Sequence, residues 1–225
     1  MNRDLRVSRL SPPPVIIRRL PGLTDYAAAV AAMQRFTNER QPDTADEIWL
    51  LEHPPVYTLG LNTDPAHLLG TGTVPVIQTD RGGQVTYHGP GQLIVYVLVD
   101  LARAKLGIRS VVTALETAVV ELAAHHGITA IPRSDAPGVY VNGAKLASVG
   151  LRIRRGATYH GLALNVAMDL APFRGINPCG HADLSVTSLQ LLGAPTDLQA
   201  TGEKLLAGLL QELQLERGPS AAGLP

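Results

Sequence analysis

Nine residues, Gln92-Leu-Ile-Val-Tyr-Val-Leu-Val-Asp100, constrain the fold more than any other segment. The run is β-branched and aromatic, short for a helix and polar only at its ends, so it predicts a strand buried on both faces in the middle of a sheet. Such a strand needs partners on either side. Val139-Tyr-Val141, then Asn142-Gly143, then Ala144 onward is the strongest hairpin signal, because a type I′ turn requires positive φ at both central residues. A further strand is expected from Tyr159 to Val166, after a turn at Arg154-Arg155-Gly156. Helical character is confined to residues 26 to about 39, 111 to about 126 and 198 to about 215, the second opened by Ser110 and closed by Gly127. Strands grouped in the middle, interrupted irregularly by helices, predict an α+β fold with a mixed or antiparallel sheet and flanking helices.

The chain has 225 residues, 45% of them apolar and 17% charged, with 19 basic against 19 acidic side chains. That balance excludes intrinsic disorder and argues against capture by nucleic acid or an anionic membrane, both of which favour a basic surplus. No apolar run approaches the roughly 20 residues that span a bilayer. A single cysteine, Cys179, forms no internal disulfide and fits a reducing, cytoplasmic compartment. Residues 1–14 end in Ser-Pro-Pro-Pro and residues 216–225 are rich in Gly, Pro and Ala, so both read as tails around one folded unit spanning 15–215.

Three segments could carry chemistry. Arg81-Gly-Gly-Gln-Val-Thr-Tyr-His-Gly-Pro-Gly-Gln92 packs four glycines into a dozen residues, which suits close approach of a ligand to the backbone or simply a redirecting turn. It lacks the spacing and the Gly-Lys-Ser/Thr ending of nucleotide-binding loops. In the hairpin, strict alternation puts Lys145 with Ala147, Val149, Leu151 and Ile153 on an apolar face. An ammonium held there is poorly solvated and gives up its proton more readily, unless it snorkels to water. Asn177-Pro-Cys-Gly-His181 pins the only thiol between Pro and Gly, fitting a reactive turn better than a buried inert cysteine. A thiol hydrolase with His88, His160 or His181 as base would read the same way at this level. The seven histidines show no paired metal-ligand spacing, so no metal is expected. Residues 143–174 hold five cationic side chains against one acidic, where an acidic macromolecule could dock.

Together, the Arg81–Gln92 loop, Gly143-Ala-Lys-Leu-Ala-Ser-Val-Gly-Leu-Arg-Ile-Arg-Arg155 continuing to His160-Gly-Leu-Ala-Leu-Asn165, and Ile176-Asn-Pro-Cys-Gly180 resemble the lipoyl(octanoyl) transferase family. The resemblance covers about residues 15 to 215. It implies a fold similar to the catalytic domain of biotin protein ligases and lipoate ligases. The implied activity is transfer of an octanoyl group from octanoyl-acyl carrier protein to a lysine of a lipoyl domain, the first step of protein lipoylation. Acceptors would be the lipoyl domains of 2-oxoacid dehydrogenase complexes and the glycine cleavage H protein. It implies that Cys179 is the acyl-accepting nucleophile and that Lys145 lowers its pKa and shuttles protons. Arg81, Gly82, Gly83, Gln84, Val85, Thr86, Tyr87, His88, Ser148, Val149, Gly150, Gly161, Leu162 and Ala163 would line the acyl pocket. A thioester donor is already activated, so no ATP and no other cofactor is implied. The alternatives are an ATP-dependent lipoate or biotin ligase on the same scaffold and a non-catalytic module that only binds an acyl carrier.

Overall fold

A computed structural model describes residues 13–177 and 184–225. In chain order the elements are β1 (Val15–Leu23), α1 (Tyr26–Glu39), β2 (Glu47–Glu52), β3 (Val56–Leu59), β4 (Val76–Gln78), β5 (Val85–His88), β6 (Gln92–Leu98), α2 (Leu101–Ala104), α3 (Ile108–Ala124), β7 (Ile131–Pro132), β8 (Gly138–Val141), β9 (Ala144–Arg154), β10 (Ala157–Asn165), α4 (Leu198–Leu213) and β11 (Arg217–Ala222). Eight strands form one mixed sheet in the order β11-β1-β2-β6-β10-β9-β8-β7, and β4-β3-β5 form a second, smaller one. The fold is α+β, as the strand grouping predicts.

Strand β6 is buried at every residue and lies between β2 and β10, both antiparallel to it. Its side chains alternate between two cores. Leu93, Val95 and Val97 join the cluster under α3 and α4, while Ile94, Tyr96 and Leu98 join the cluster that includes Ala29, Ala32 and Met33 of α1. Helix α1 starts where Asp25 caps the Ala28 amide, and α4 where Asp197 caps that of Ala200. Helix α3 starts at Ile108 rather than after Ser110, because Gly107 takes the extended cap conformation without a side-chain bond. Both hairpin turns have the expected backbone, with φ 50° and 83° at Asn142 and Gly143 and 51° and 80° at Arg155 and Gly156.

The expectation of a tail over 216–225 is corrected: β11 pairs in parallel with β1 from Arg217 to Ala222. Composition misled here because strand formation depends on what the edge offers. Strand β1 presents an unpaired row of backbone groups, and Arg18 and Arg19 add side-chain bonds to the Gly223 carbonyl and the Ser220 hydroxyl, each at 3.0 Å.

Candidate active site

A cavity of about 580 Å³, mouth included, opens between the small sheet and the face of the large sheet that α1 also covers. Its long wall is the β9–β10 pair, where Ser148 lies opposite Ala163 and Gly150 opposite Gly161. Thr86 and His88 of β5 face it with the preceding residues Arg81, Gly83 and Gln84, Val85 borders it while its side chain packs with Tyr57 and Tyr87, and Ile94, Tyr96, Tyr26 and Pro137 complete it. The glycine at 150 keeps the groove open. A Cβ there would meet the Gly82 carbonyl oxygen at 3.1 Å and Arg81 Cδ at 3.4 Å.

The expected pocket residues converge on this cavity except two. Gly82 instead donates its amide to the Leu151 carbonyl at 2.9 Å, tying the loop to β9. Tyr87 points the other way on β5, as strand alternation demands, and packs on Tyr57 and Phe173 at ring separations of 5.2 and 5.6 Å. Tyr26, Ile94, Tyr96, Pro137 and His160 line the pocket without having been singled out as binding residues from sequence. They come from four separate elements and share no local pattern.

Lys145 is fully buried, but on the opposite face from the one strict alternation assigns. Tyr140 pairs with Lys145 while Val139 pairs with Ala147, so Leu146 is an extra residue in β9 and a β-bulge shifts the parity. Ala147, Val149 and Leu151 pack towards α3 and α4, whereas Lys145 shares the pocket with Ser148 and Gly150. Its Nζ donates to the Pro137 carbonyl at 3.3 Å and lies 5.1 Å from the centre of the Tyr140 ring. Residues 184–187 run beside it: the Lys145 amide donates to the Ser185 carbonyl at 2.8 Å, and the Thr187 amide to the Lys145 carbonyl at 2.9 Å. Asn177 is held by the His67 carbonyl at 2.9 Å. Cys179 and His181 lie between these two anchors, outside the described residues.

Away from Lys145 the pocket wall becomes polar. Behind the lining residues, His53 donates Nδ1–H to the Thr24 carbonyl and accepts from Oη of the pocket residue Tyr96, both at 2.7 Å. His88 donates to Gln92 Oε1 at 2.8 Å, and Arg81 binds the Thr58 carbonyl at 2.7 Å and hydroxyl at 2.8 Å. His160, in the left-handed region at φ 61°, donates Nε2–H to Asp80 at 2.9 Å. Burial tends to raise the Asp80 pKa, but hydrogen bonds from His160 and Tyr159 outweigh it and hold the carboxyl well below the usual range. Burial pushes all three imidazoles down, His53 to about 4, so they are neutral at pH 7. The pocket therefore presents neutral donors and acceptors rather than cationic imidazoles.

This burial makes stability pH-dependent with a definite sign. Below about pH 6.5 an unfolded chain protonates these histidines while the folded one resists, so stability is intact above that pH and falls towards pH 4. His53 alone accounts for on the order of 3 kcal/mol across the window. Urea unfolding of wild type and His53→Gln should show their stability difference shrinking as pH drops from 7 to 4.5. A constant difference would contradict the assignment.

Residues 25–210 match the family described as Lipoyl protein ligase A/B catalytic domain. The chain belongs to this family. Among curated relatives, an octanoyltransferase of Methylococcus capsulatus is 58% identical over 200 residues, covering 89% of this chain and 95% of its own. An octanoyltransferase of Xanthomonas campestris is 51% identical over 216 residues, covering 96% and 93%. Among solved structures, lipoate-protein ligase A bound with ATP aligns with a TM-score of 0.74 at 14% identity, covering 93% of this chain and 89% of that one. The biotin protein ligase of Aquifex aeolicus, in complex with biotin and ATP, aligns at 0.56 and 14%, covering 89% and 70%. The ligase likeness concerns the fold alone. The matched span contains every residue that lines the pocket, whereas strand β1 and the edge strand β11 lie outside it.

Proposed function

We propose that this member of the lipoyl protein ligase A/B family is an octanoyltransferase that carries the octanoyl group on Cys179. The observation that carries the reading is the burial of Lys145 at the end of the groove lined by the small and apolar residues of β9 and β10, with the chain that follows Cys179 pairing alongside it. An aliphatic chain fits between β9, β10 and the 81–88 segment, where each buried methylene contributes ~0.8 kcal/mol.

In the first half-reaction, Lys145 acts as the base for the Cys179 thiol proton and the thiolate attacks the thioester carbonyl of octanoyl-acyl carrier protein. The bond from the carbonyl carbon to the carrier sulfur breaks, and the departing thiolate recovers its proton from the Lys145 ammonium. In the second half-reaction a neutral lysine of a lipoyl domain attacks the Cys179 thioester and loses a proton to Lys145. The bond from the carbonyl carbon to the Cys179 sulfur breaks, the departing thiolate takes that proton back from Lys145, and the product is an amide. Thioester exchange is close to isoenergetic, so the work of the site is positioning the carbonyl and stabilising the tetrahedral oxyanion.

Two acceptors visiting one nucleophile in turn give ping-pong kinetics. Initial rates measured against octanoyl-carrier concentration at several fixed lipoyl-domain concentrations should plot as parallel double-reciprocal lines. Intersecting lines, or a requirement for ATP, would overturn the reading in favour of a ternary-complex transferase or a ligase.

A further inference from the structure

Helix α3 carries a carboxylate at the edge of its core-facing stripe. Val111, Ala114, Leu115, Ala118, Val119 and Leu122 are buried apolar residues of this helix, and Glu116 is buried among them. A carboxylate in such a setting is costly unless it is hydrogen-bonded. Its partner is the Gly138 amide, at 2.8 Å from Oε1. The same peptide group presents its other end, the Pro137 carbonyl, to Lys145 Nζ at 3.3 Å. One peptide unit is thus held at its N–H by a carboxylate from behind the sheet and at its oxygen by the buried lysine in the pocket. Glycine is required at 138 for this placement: φ is 137°, and a Cβ would lie 2.3 Å from the Ala147 carbonyl oxygen. A carboxylate on the N–H end polarises the peptide and increases the negative charge on its carbonyl oxygen.

We propose that Glu116 is a positioning residue for Lys145, acting through the Pro137–Gly138 peptide to hold the amine at the acyl pocket. This deepens the reading of Lys145 as the proton shuttle and rests on it. Burial raises the Glu116 pKa, while the Gly138 amide and the Lys145 charge pull it back. Both groups are therefore coupled across a single peptide bond without touching.

The test compares two isosteres of Glu116 in the full chain. Glu116→Gln keeps an acceptor for the Gly138 amide, and Glu116→Met fills the same space without one. Single-turnover acylation by octanoyl-acyl carrier protein, followed by quenched intact-mass analysis, should be slowed roughly tenfold or more in Glu116→Met, as for other outer-layer partners, with half-saturation by carrier unchanged. Glu116→Gln should stay within about threefold of wild type, since a neutral hydrogen bond replaces a charge-assisted one. Equal rates in wild type and folded Glu116→Met, or equal impairment in both variants, would overturn the proposal. Should Glu116→Met fail to fold, the Gly138 amide resonance decides. It should shift in both Glu116→Gln and Lys145→Met, and indifference to Lys145→Met would overturn the proposal. The resonance does not depend on catalysis, so the two failures are separable: wild type that never acquires an acyl adduct defeats the transferase reading, not the Glu116 coupling.

Discussion

Cys179→Ser should remove the +octanoyl mass adduct that wild type acquires from octanoyl-acyl carrier protein, and slow overall transfer by roughly 10³-fold or more. A serine hydroxyl is a far weaker acid than a thiol. A lysine amine that populates a thiolate leaves the alcohol protonated, and an oxyester, were it formed, is less reactive than a thioester towards the incoming amine. The variant changes one atom, so carrier binding should persist, and a pull-down with octanoyl-carrier separates lost chemistry from lost docking. An unchanged adduct on Cys179→Ser, mapped to another side chain, would move the nucleophile elsewhere and undo the scheme.

The second large effect is expected at Lys145. Lys145→Arg keeps positive charge but cannot act as a base near neutrality, and its planar fork differs in reach and geometry from the amine that donates to the Pro137 carbonyl. Acylation should fall about 10²- to 10⁴-fold, the usual contribution of a positioned acid–base group. Lys145→Met tests the complementary case, with charge and base both gone and volume kept. If the lysine only supplied positive potential to a thiolate, the arginine variant would acylate near the wild-type rate while the methionine variant would not. Comparable losses in the two identify proton transfer as the role.

Much of this architecture is legible in the chain. The buried β6 run announces a central strand because seven consecutive buried positions leave no solvent face. The Asn142-Gly143 and Arg155-Gly156 turns are legible because few residues tolerate consecutive positive φ. Small residues at 148, 150, 161 and 163 mark where something must lie close to the backbone, and they do converge on one cavity. What could not be read depends on pairing between distant segments. The bulge at Leu146 reverses the face of Lys145, and nothing local distinguishes it from an unbroken strand, since the extra residue exists only relative to β8. The polar wall of Tyr96, His88 and His160, with His53 behind it, is likewise assembled from distant segments, each contributing one group that alone looks like an ordinary core histidine or tyrosine. Glu116 did leave a trace: a carboxylate among apolar residues of one helical stripe calls for a hidden partner, although the sequence does not say which.

Strand β1 is bordered by β2 on one side and by β11 on the other, and Val15 pairs with Arg217. A ribosome therefore exposes the first strand long before its outer neighbour has been synthesised. During that interval the N-terminal strand carries a free row of amides and carbonyls, the kind of edge that recruits a strand from another chain. Protection of the nascent protein against misassembly, by chaperones or by speed, has to last until about the two hundred and twentieth residue has left the exit tunnel, even though the last residue lining the pocket, Ala163, is made almost sixty residues earlier.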